Sequence, residues 1–342
     1  MFRLTVMTAA MSLFLLTGCA APNTGGQKST ILPPLRDLTA YLLVDPTTDA
    51  VLSIEQAAET LADADVVFLG EIHRHPGNHL AQMALFRALH AQNSDTALSL
   101  EQFERPVQPV LDQYLAGDIG EATLRGKGGA WDNYPVSYRP LVEYAKANGL
   151  AVIAAEAPNM VVRCVGREGP GFLATLPADK QHWSALTLRL DDGPYKDRFI
   201  EFAGGNAGHG ESTGADDTVS EAVLRSFAAQ VTRDETMAES IVQHIAANPD
   251  HRVVHLNGSF HSAGFLGTAE RVMWDRPDLK VAVVHPIEVD DPAKPNIPDD
   301  KRSEGTLLLL VQPEPKSYAS DEEEREAIME QMKFRKSVDC EL

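Results

Sequence analysis

Residues 66–73 read VVFLGEIH: four apolar residues, then a glycine, a glutamate, an isoleucine and a histidine. A run this short and rich in branched side chains is typical of a strand that is buried on both faces. Glycine at the bend lets the backbone turn sharply and brings the residues that follow over the edge of the sheet. The segment therefore predicts a central strand that carries Glu71 and His73 to the edge where open α/β sheets bind ligands.

Five further runs of the same kind follow along the chain. They are Ala97–Leu100, Leu150–Ala154, Val253–Leu256, Val281–Val284 and Leu307–Val311. Between the runs lie segments of helical character, at residues 78–92, 140–148 and 217–247. Strands that alternate with helices predict an α/β fold, with a mostly parallel sheet flanked by helices and right-handed crossovers.

Two intervals between predicted strands are too long for a simple crossover, residues 102–149 and 160–250. We expect both to hold extra helices that form a cap over the carboxyl ends of the strands. The α/β domain with its cap is predicted to span residues 39–312, and the polar residues 313–342 are predicted to form a C-terminal tail.

Polar side chains follow four of the predicted strands. After Glu71 and His73 come Glu101 and Glu156, and a second Gly-x-x-His segment ends at His261. Since the carboxyl ends of parallel strands share one edge of a sheet, we expect these groups to converge. His73, His261 and Glu101 suit a divalent metal such as Mn, Co or Zn, and together with Glu71 they also suit acid–base catalysis. The alternative is a hydrogen-bonded network that only braces the sheet edge.

A second candidate surface lies in the predicted cap, at residues 131–140, which read WDNYPVSYRP. Tyr134 and Tyr138 lie there close to a tryptophan and an arginine. Aromatic rings stack on flat ligands and arginine pairs with carboxylates, so the block suits a flat, apolar, anionic ligand. Packing within the cap is the alternative interpretation.

The N-terminus has the layout of an export signal. Residues 1–18 carry one positive charge and an apolar stretch that is too short to span a bilayer comfortably. Residues 16–19, LTGC, match the lipobox, in which Cys19 is diacylated and becomes the first residue of the mature chain. Residues 19–38 are then a lipidated tether, and because Ala20 is not acidic we expect anchoring at the outer membrane. An ordinary cleaved signal with a chance cysteine is the alternative.

Charge and cysteine content restrict the partners. The formal net charge of −19 argues against binding to nucleic acid and against a basic membrane-binding face. Apart from the predicted lipidation site, the cysteines are Cys164 and Cys340. Two cysteines in an oxidising compartment can pair, but Cys340 lies in the polar tail, so we expect no essential disulfide.

These motifs, in their order along the chain, resemble the ChaN-like haem-binding lipoproteins of the wider Tiki, TraB and erythromycin-esterase superfamily. The matching pieces are residues 68–73 with His79, residues 100–101, 131–141, 154–158 and 233–238, and residues 258–261 with Gly267 and Arg271. They cover the chain from about residue 50 to residue 285. The sequence departs from the family pattern at Arg74, where Asp is frequent, and at Glu156, where relatives carry Asn.

The resemblance implies haem binding in iron acquisition, with a tyrosine on the haem iron and dimers that enclose paired haems. A phenolate is a suitable ligand for ferric haem, and on this sequence Tyr138 is the first choice for the ligand and Tyr134 the second. Hydrolytic members of the superfamily use paired Gly-x-x-His histidines and a glutamate. The corresponding residues are His73, His261 and Glu101, with Glu71 assisting.

Three functions remain as alternatives. The first, which we favour, is a lipid-anchored haem-binding protein without catalytic activity that exchanges haem with a membrane transporter. The second is a metal-dependent hydrolase of esters or peptides, and the third is an interaction lipoprotein whose crevice is inert. A tether of about 20 residues keeps the domain close to a membrane, which suits haem transfer better than degradation of diffusing substrates.

Overall fold

The computed structural model describes residues 31–206, 219–336 and 340, so the predicted signal peptide and Cys19 lie outside the described residues. Its centre is a single sheet of eight strands. They are β1 (Tyr41–Val44), β2 (Val51–Leu52), β3 (Val66–Glu71), β4 (Thr96–Glu104), β5 (Val152–Glu156), β6 (Arg252–Gly258), β7 (Val281–Glu288) and β8 (Leu307–Val311).

Helices surround this sheet. Those in the described residues are α1 (Ile54–Thr60), α2 (Pro76–Gln92), α3 (Gln108–Ala116), α4 (Glu121–Lys127), α5 (Tyr134–Ser137), α6 (Arg139–Ala147), α7 (Asn159–Glu168), α8 (Pro194–Asn206), α9 (Glu221–Ala247), α10 (Thr268–Asp275) and α11 (Asp321–Lys336). A bilayer-crossing helix, long and apolar enough to span the membrane, is not found among the described residues.

The strands lie in the order β2-β1-β8-β7-β3-β6-β4-β5. The six strands from β8 to β5 run parallel to one another, which confirms the predicted α/β fold and its mostly parallel sheet. Strands β1 and β2, which the sequence patterns did not predict, extend one edge of the sheet in antiparallel pairing. Strand β3 therefore lies inside the sheet, with β6 and β7 on either side.

Both faces of β3 are covered by apolar side chains. Val67 and Leu69 belong to a cluster that includes buried residues of α2 and α6, whereas Val66 and Phe68 pack on the opposite face with Met237 of α9. Full burial of one such side chain contributes about 1.5–3 kcal/mol. This packing fixes the strand between two layers of helices and so fixes the position of the Gly-Glu-Ile-His segment at its end.

The two long intervals between strands hold helices, α3 to α6 before β5 and α7 to α9 after it. Helix α9 has two parts with different neighbours. Met237, Ile241 and Ile245 in its C-terminal part pack on the sheet, whereas Asp234, one turn earlier, bonds to His261 beyond the end of β6. The helix thus connects the core of the sheet to the polar groups at the strand ends.

Cys164 and Cys340 form a disulfide, so the expectation of no essential disulfide is wrong. Cys164 lies in α7 inside an apolar cluster with Phe172 and Leu173, and Cys340 packs against the same cluster. The polar composition of the tail concealed this return to the domain. The bridge closes a sequence separation of 176 residues, and the chain-entropy argument gives a stabilisation on the order of 4–5 kcal/mol for so long a loop.

Candidate functional site

The parallel register brings the two Gly-x-x-His segments side by side. Strands β3 and β6 are neighbours, and Glu71 is paired in register with Gly258. Strand β4 lies on the other side of β6, which places Glu101 next to the same turn. The predicted candidates Glu71, His73, Glu101 and His261 therefore lie around one crevice at the carboxyl ends of three adjacent strands.

The first pair in this crevice is Glu71 with His73. The Nδ1 atom of His73 lies 2.7 Å from Oε1 of Glu71, which is completely buried, whereas the side chain of His73 is 47% exposed. The Tyr138 hydroxyl and the Gln82 amide also donate to the carboxylate. Burial raises the pKa of Glu71, but the bond from His73 and the charges of His79 and His73 outweigh it, so the pKa is lowered. Glu71 is therefore an anion that orients the ring of His73.

The second pair is Asp234 with His261. The Nδ1 atom of His261 lies 2.7 Å from Oδ1 of Asp234, and the ring is only 8% exposed. Tyr195 and Thr268 donate to the same carboxylate at 2.6 and 2.9 Å. Burial lowers the pKa of His261, but the charges of Asp234 and Glu101 outweigh it and raise the pKa to about 9. At neutral pH the pair is therefore a buried ion pair.

Glu101 lies between the two histidines. It belongs to a part of β4 where the register against β5 shifts, and such an irregularity re-aims side chains at a strand end. Its Oε2 accepts the backbone N–H of Gly258, and its Oε1 lies 3.8 Å from Nε2 of His261. A Cβ atom at Gly258 would lie 2.9 Å from Nε2 of His73, so the ring occupies the space that glycine leaves free.

Glu156, the carboxylate after the third predicted strand, is paired with a cation. Arg233 donates to its Oε2 at 2.6 Å. Burial raises the pKa of Glu156 more than Arg233 lowers it, and the result is a pKa of about 7. Glu156 therefore changes protonation state near neutral pH, next to Glu101 and His261, whose charges it feels.

Asp234 was not predicted as a site residue. It lies 27 residues from His261 in the sequence, on a helix rather than after a strand. The available signal was a run of polar residues from Thr232 to Thr236 inside a helix whose neighbouring positions are apolar and buried. Buried charge on the inner face of a helix indicates a partner, but the sequence does not indicate which one.

The two candidate haem-ligating tyrosines are completely buried. The Tyr138 hydroxyl donates to Oε1 of Glu71 at 2.5 Å, and burial together with the charge of Glu71 raises the pKa of this phenol far above its usual range. Burial also raises the pKa of Tyr134, whose hydroxyl has no hydrogen-bond partner within the described part of the chain. As ligands for haem iron, both phenols would have to lose a proton that their surroundings strongly retain.

Trp131 closes the crevice over Tyr138. Its indole packs edge-to-face on the ring of Tyr138 at 6.0 Å and on the ring of His73 at 5.2 Å, between ring centres. A shallow cavity of about 430 Å³ opens on this side. It is lined by His73, Arg74 and residues 130–133. This mouth of the crevice is where the candidate site meets solvent.

Metal ligation by His73, His261 and Glu101 remains a prediction. Across residues 31–206, 219–336 and 340, no group of three or more His, Cys, Asp or Glu side chains has an arrangement that could hold a metal ion. Oε1 of Glu101 and Nε2 of His261 are 3.8 Å apart. In His73 and His261 the Nδ1 atom bonds a carboxylate, and the Nε2 atom faces the crevice.

A mostly parallel α/β sheet with a polar crevice at its carboxyl edge has the arrangement in which proteins of this class bind their ligands. A family model described as haem-binding uptake, Tiki superfamily, ChaN, matches residues 57–272, and the chain belongs to this family. The resemblance recognised in the sequence motifs is thereby confirmed.

Solved structures match this chain at low sequence identity, and the first of the two below shares its fold. The ChaN protein of Campylobacter jejuni, described with cofacial haem, has 16% identity and a TM-score of 0.59, over 82% of this chain and 100% of that one. A mutant of the erythromycin esterase EreC, in its open conformation, has 13% identity and a TM-score of 0.46, over 84% of this chain and 99% of that one.

One curated relative matches a shorter stretch. The chloroplastic protein RETICULATA-RELATED 5 of Arabidopsis thaliana is 32% identical over 121 residues, which are 32% of this chain and 16% of that protein. The chain thus spans less than a fifth of that relative's length.

Proposed function

We propose that this chain is an exported lipoprotein that binds haem for iron acquisition and is held at a membrane by lipid on Cys19. The observation that carries haem binding is membership of a haem-binding uptake family over residues 57–272. The solved C. jejuni relative is described with cofacial haem, which supports a homodimer that holds two haems face to face.

The mouth of the crevice suits haem better than its interior does. The half-exposed ring of His73 and the indole of Trp131 border an open cavity there. A porphyrin is flat and largely apolar, and aromatic side chains pack on such a surface in edge or offset geometry. When bound, haem supplies a redox-active iron whose properties its axial ligand sets.

The predicted iron ligands do not fit this position in the described conformation. Tyr138 remains the first predicted ligand and Tyr134 the second, but both phenols are buried, and that of Tyr138 is bonded to Glu71. Ligation by Tyr138 requires the loss of this hydrogen bond and the displacement of Trp131. The ring of His73 needs no such movement to reach solvent, so we propose that haem contacts His73 and Trp131 first.

A haemin titration of the purified protein tests the proposal. We expect a saturable change of the haem absorption spectrum, and the absence of saturation would end the proposal. The Tyr138→Phe variant then identifies the ligand: loss of tyrosinate-type bands assigns the iron to this phenol. If the bands of Tyr138→Phe match those of the wild type, the iron is bound elsewhere, and His73→Ala is expected to change them.

The disulfide supports the export part of the proposal. Stable disulfides form in oxidising compartments such as the bacterial periplasm, and Cys164 and Cys340 are bridged. We propose that the protein is anchored on the periplasmic face of the outer membrane, where it exchanges haem with a membrane transporter. Cys19→Ala is expected to move the protein from the membrane fraction to the soluble periplasmic fraction, and a wild type already soluble would contradict the anchor.

A second candidate function is hydrolysis of an ester or peptide, alone or with a divalent metal such as Mn, Co or Zn. The observation that favours it is the orientation of the two rings, each bonded through Nδ1 to a buried carboxylate. This bond orients each ring and directs its Nε2 to the crevice. Because His261 carries a proton at neutral pH, its Nε2 would act as the proton donor in general acid–base catalysis.

Hydrolysis of p-nitrophenyl butyrate, with metal analysis of the same preparation, tests this candidate. If the chain is a hydrolase, the wild type is expected to turn over this ester, and His261→Asn is expected to remove the activity. If a metal takes part, a chelator is expected to lower the activity. A preparation that carries no Mn, Co or Zn and loses nothing in His73→Ala would exclude the metal-dependent form. No turnover by the wild type would leave haem binding as the function of the crevice.

A further inference from the structure

Arg74 has an unusual backbone at the mouth of the crevice. Its φ is +72°, in the left-handed region that side-chain-bearing residues rarely adopt. The residue is exposed and lines the same cavity as His73 and Trp131. Backbone strain of this kind persists where the surrounding structure enforces it, and it concentrates at ligand-binding positions.

The guanidinium of Arg74 also differs from that of several other arginines in its partners. Arg105 bonds Glu239, Arg139 bonds Glu121, Arg198 bonds Glu304 and Arg233 bonds Glu156. For Arg74, no ion pair with a carboxylate is present among the residues that the structure describes. A cation that lines this cavity and bonds no carboxylate of the described residues is available for an anion from outside.

We propose that Arg74 binds a carboxylate of the ligand that packs on Trp131. For the haem of the proposed function, on which this inference rests, the carboxylate is a propionate. Guanidinium binds carboxylate through two parallel N–H···O bonds, which fixes both distance and orientation. The contact would set which edge of the porphyrin faces the protein. Trp131 and His73 would supply the contacts to the porphyrin plane.

Asp132 opposes this contact. It is exposed, lines the same cavity and brings a negative charge close to the proposed carboxylate position. The net charge of the chain, −19, opposes an anionic ligand as well. Arg74 is therefore expected to matter more for affinity than a surface arginine in a neutral protein, and removal of the Asp132 charge is expected to strengthen binding.

Titration of the full chain with haemin and with haemin dimethyl ester, which lacks free carboxylates, tests the proposal. Arg74→Gln is expected to weaken haemin binding about tenfold and to leave the affinity for the ester unchanged. Asp132→Asn is expected to strengthen haemin binding only. The matched control is Arg276→Gln, which removes a paired, partly exposed arginine that precedes β7 at the opposite edge of the sheet.

Arg74→Gly separates binding from folding. Glycine accepts a positive φ without strain, so the thermal midpoint of this variant should rise while its haemin affinity falls as in Arg74→Gln. Equal weakening for haemin and ester, or no weakening in either arginine variant, would overturn the role of Arg74 and leave haem binding intact. If the wild type binds neither porphyrin, the proposed function fails and this inference fails with it.

Discussion

In both carboxylate–histidine pairs the Nδ1 atom lies 2.7 Å from a carboxylate oxygen, yet the ring of His73 is 47% exposed and that of His261 only 8%. Both histidines follow a strand in a Gly-x-x-His segment, so the local sequence does not distinguish them. The difference comes from what covers each ring. His261 lies under α9, which supplies Asp234, whereas His73 lies at the open mouth beside Trp131.

This difference assigns the two pairs different roles. A buried charged pair cannot lose one partner without leaving the other unpaired in a poorly solvated site. In the other pair, water can replace the contacts of the half-exposed ring of His73, and buried Glu71 keeps the hydrogen bonds from Tyr138 and Gln82, so a change at this ring costs less. We therefore expect the pair of His261 to hold the crevice together and the pair of His73 to meet ligands.

The largest expected effect comes from breaking the buried pair. Asp234→Ala leaves protonated His261 without its closest anion and removes the acceptor of the Tyr195 hydroxyl. We expect a loss of about 3–5 kcal/mol in the free energy of unfolding, measured by urea denaturation. His73→Ala, which removes the half-exposed member of the other pair, is expected to cost less, about 1.5–2 kcal/mol, because Glu71 keeps two other donors. Equal losses in the two variants would remove the distinction between the pairs.

The ring of His261 also determines how the stability of the folded chain depends on pH. The pKa of His261 is raised from 6.5 to about 9 in the folded chain. Its contribution is therefore complete below about pH 6.5, where folded and unfolded chains both carry the proton, and it is lost as the pH rises through about 9. A contribution on the order of 3 kcal/mol is expected to disappear over this interval.

Thermal unfolding of the wild type and of Asp234→Asn between pH 6 and 10 measures this contribution. Asp234→Asn removes the charge that raises the pKa most, so its stability should fall less over the same interval. Parallel curves for the two proteins would show that Asp234 does not set the protonation of His261. Glu101 and Glu156 also face this ring and raise its pKa, so part of the slope should survive in the variant.

The smallest expected effect concerns the space that His73 occupies beside Gly258. A Cβ atom there would meet Nε2 of His73 at 2.9 Å, and overpacking of this kind costs about 1–3 kcal/mol. Because the ring of His73 is half-exposed and can shift, we expect the loss of stability in Gly258→Ala to lie at the lower end of this range. The double variant with His73→Ala should be as stable as His73→Ala alone. A full additional loss in the double variant would show that Gly258 is required for its backbone rather than for the ring.

Strands β3 to β8 could be predicted because each is a short apolar run bounded by turn residues. Strands β1 and β2 could not, since they have four and two residues and are partly exposed. The grouping of Glu71, Glu101 and His261 followed from the general rule for parallel sheets. That β3 and β6 are direct neighbours, with Glu71 opposite Gly258, depends on the order of strands, which local patterns do not contain.

The burial of the tyrosines and the disulfide lay beyond reach of the sequence for a related reason. Tyr138 stands in a block of polar and aromatic residues that resembles an exposed loop, yet its ring packs under Trp131 and its hydroxyl reaches Glu71, 67 residues away in the sequence. Cys340 likewise follows a helix whose residues 321–330 are mostly charged and exposed, and it still returns to the apolar cluster around Cys164. Contacts between distant segments decided both outcomes.

The disulfide also changes how the C-terminal region would respond to a protease. Residues 313–320 are largely exposed and connect the sheet to α11, so a cut there is accessible from solvent. The released piece would remain covalently attached through Cys340 to Cys164 until a reductant was added. A nicked molecule would therefore migrate as one intact chain on a non-reducing gel and as two fragments on a reducing one. Clipping of this segment alone would therefore not shed the acidic helix while the bridge is intact.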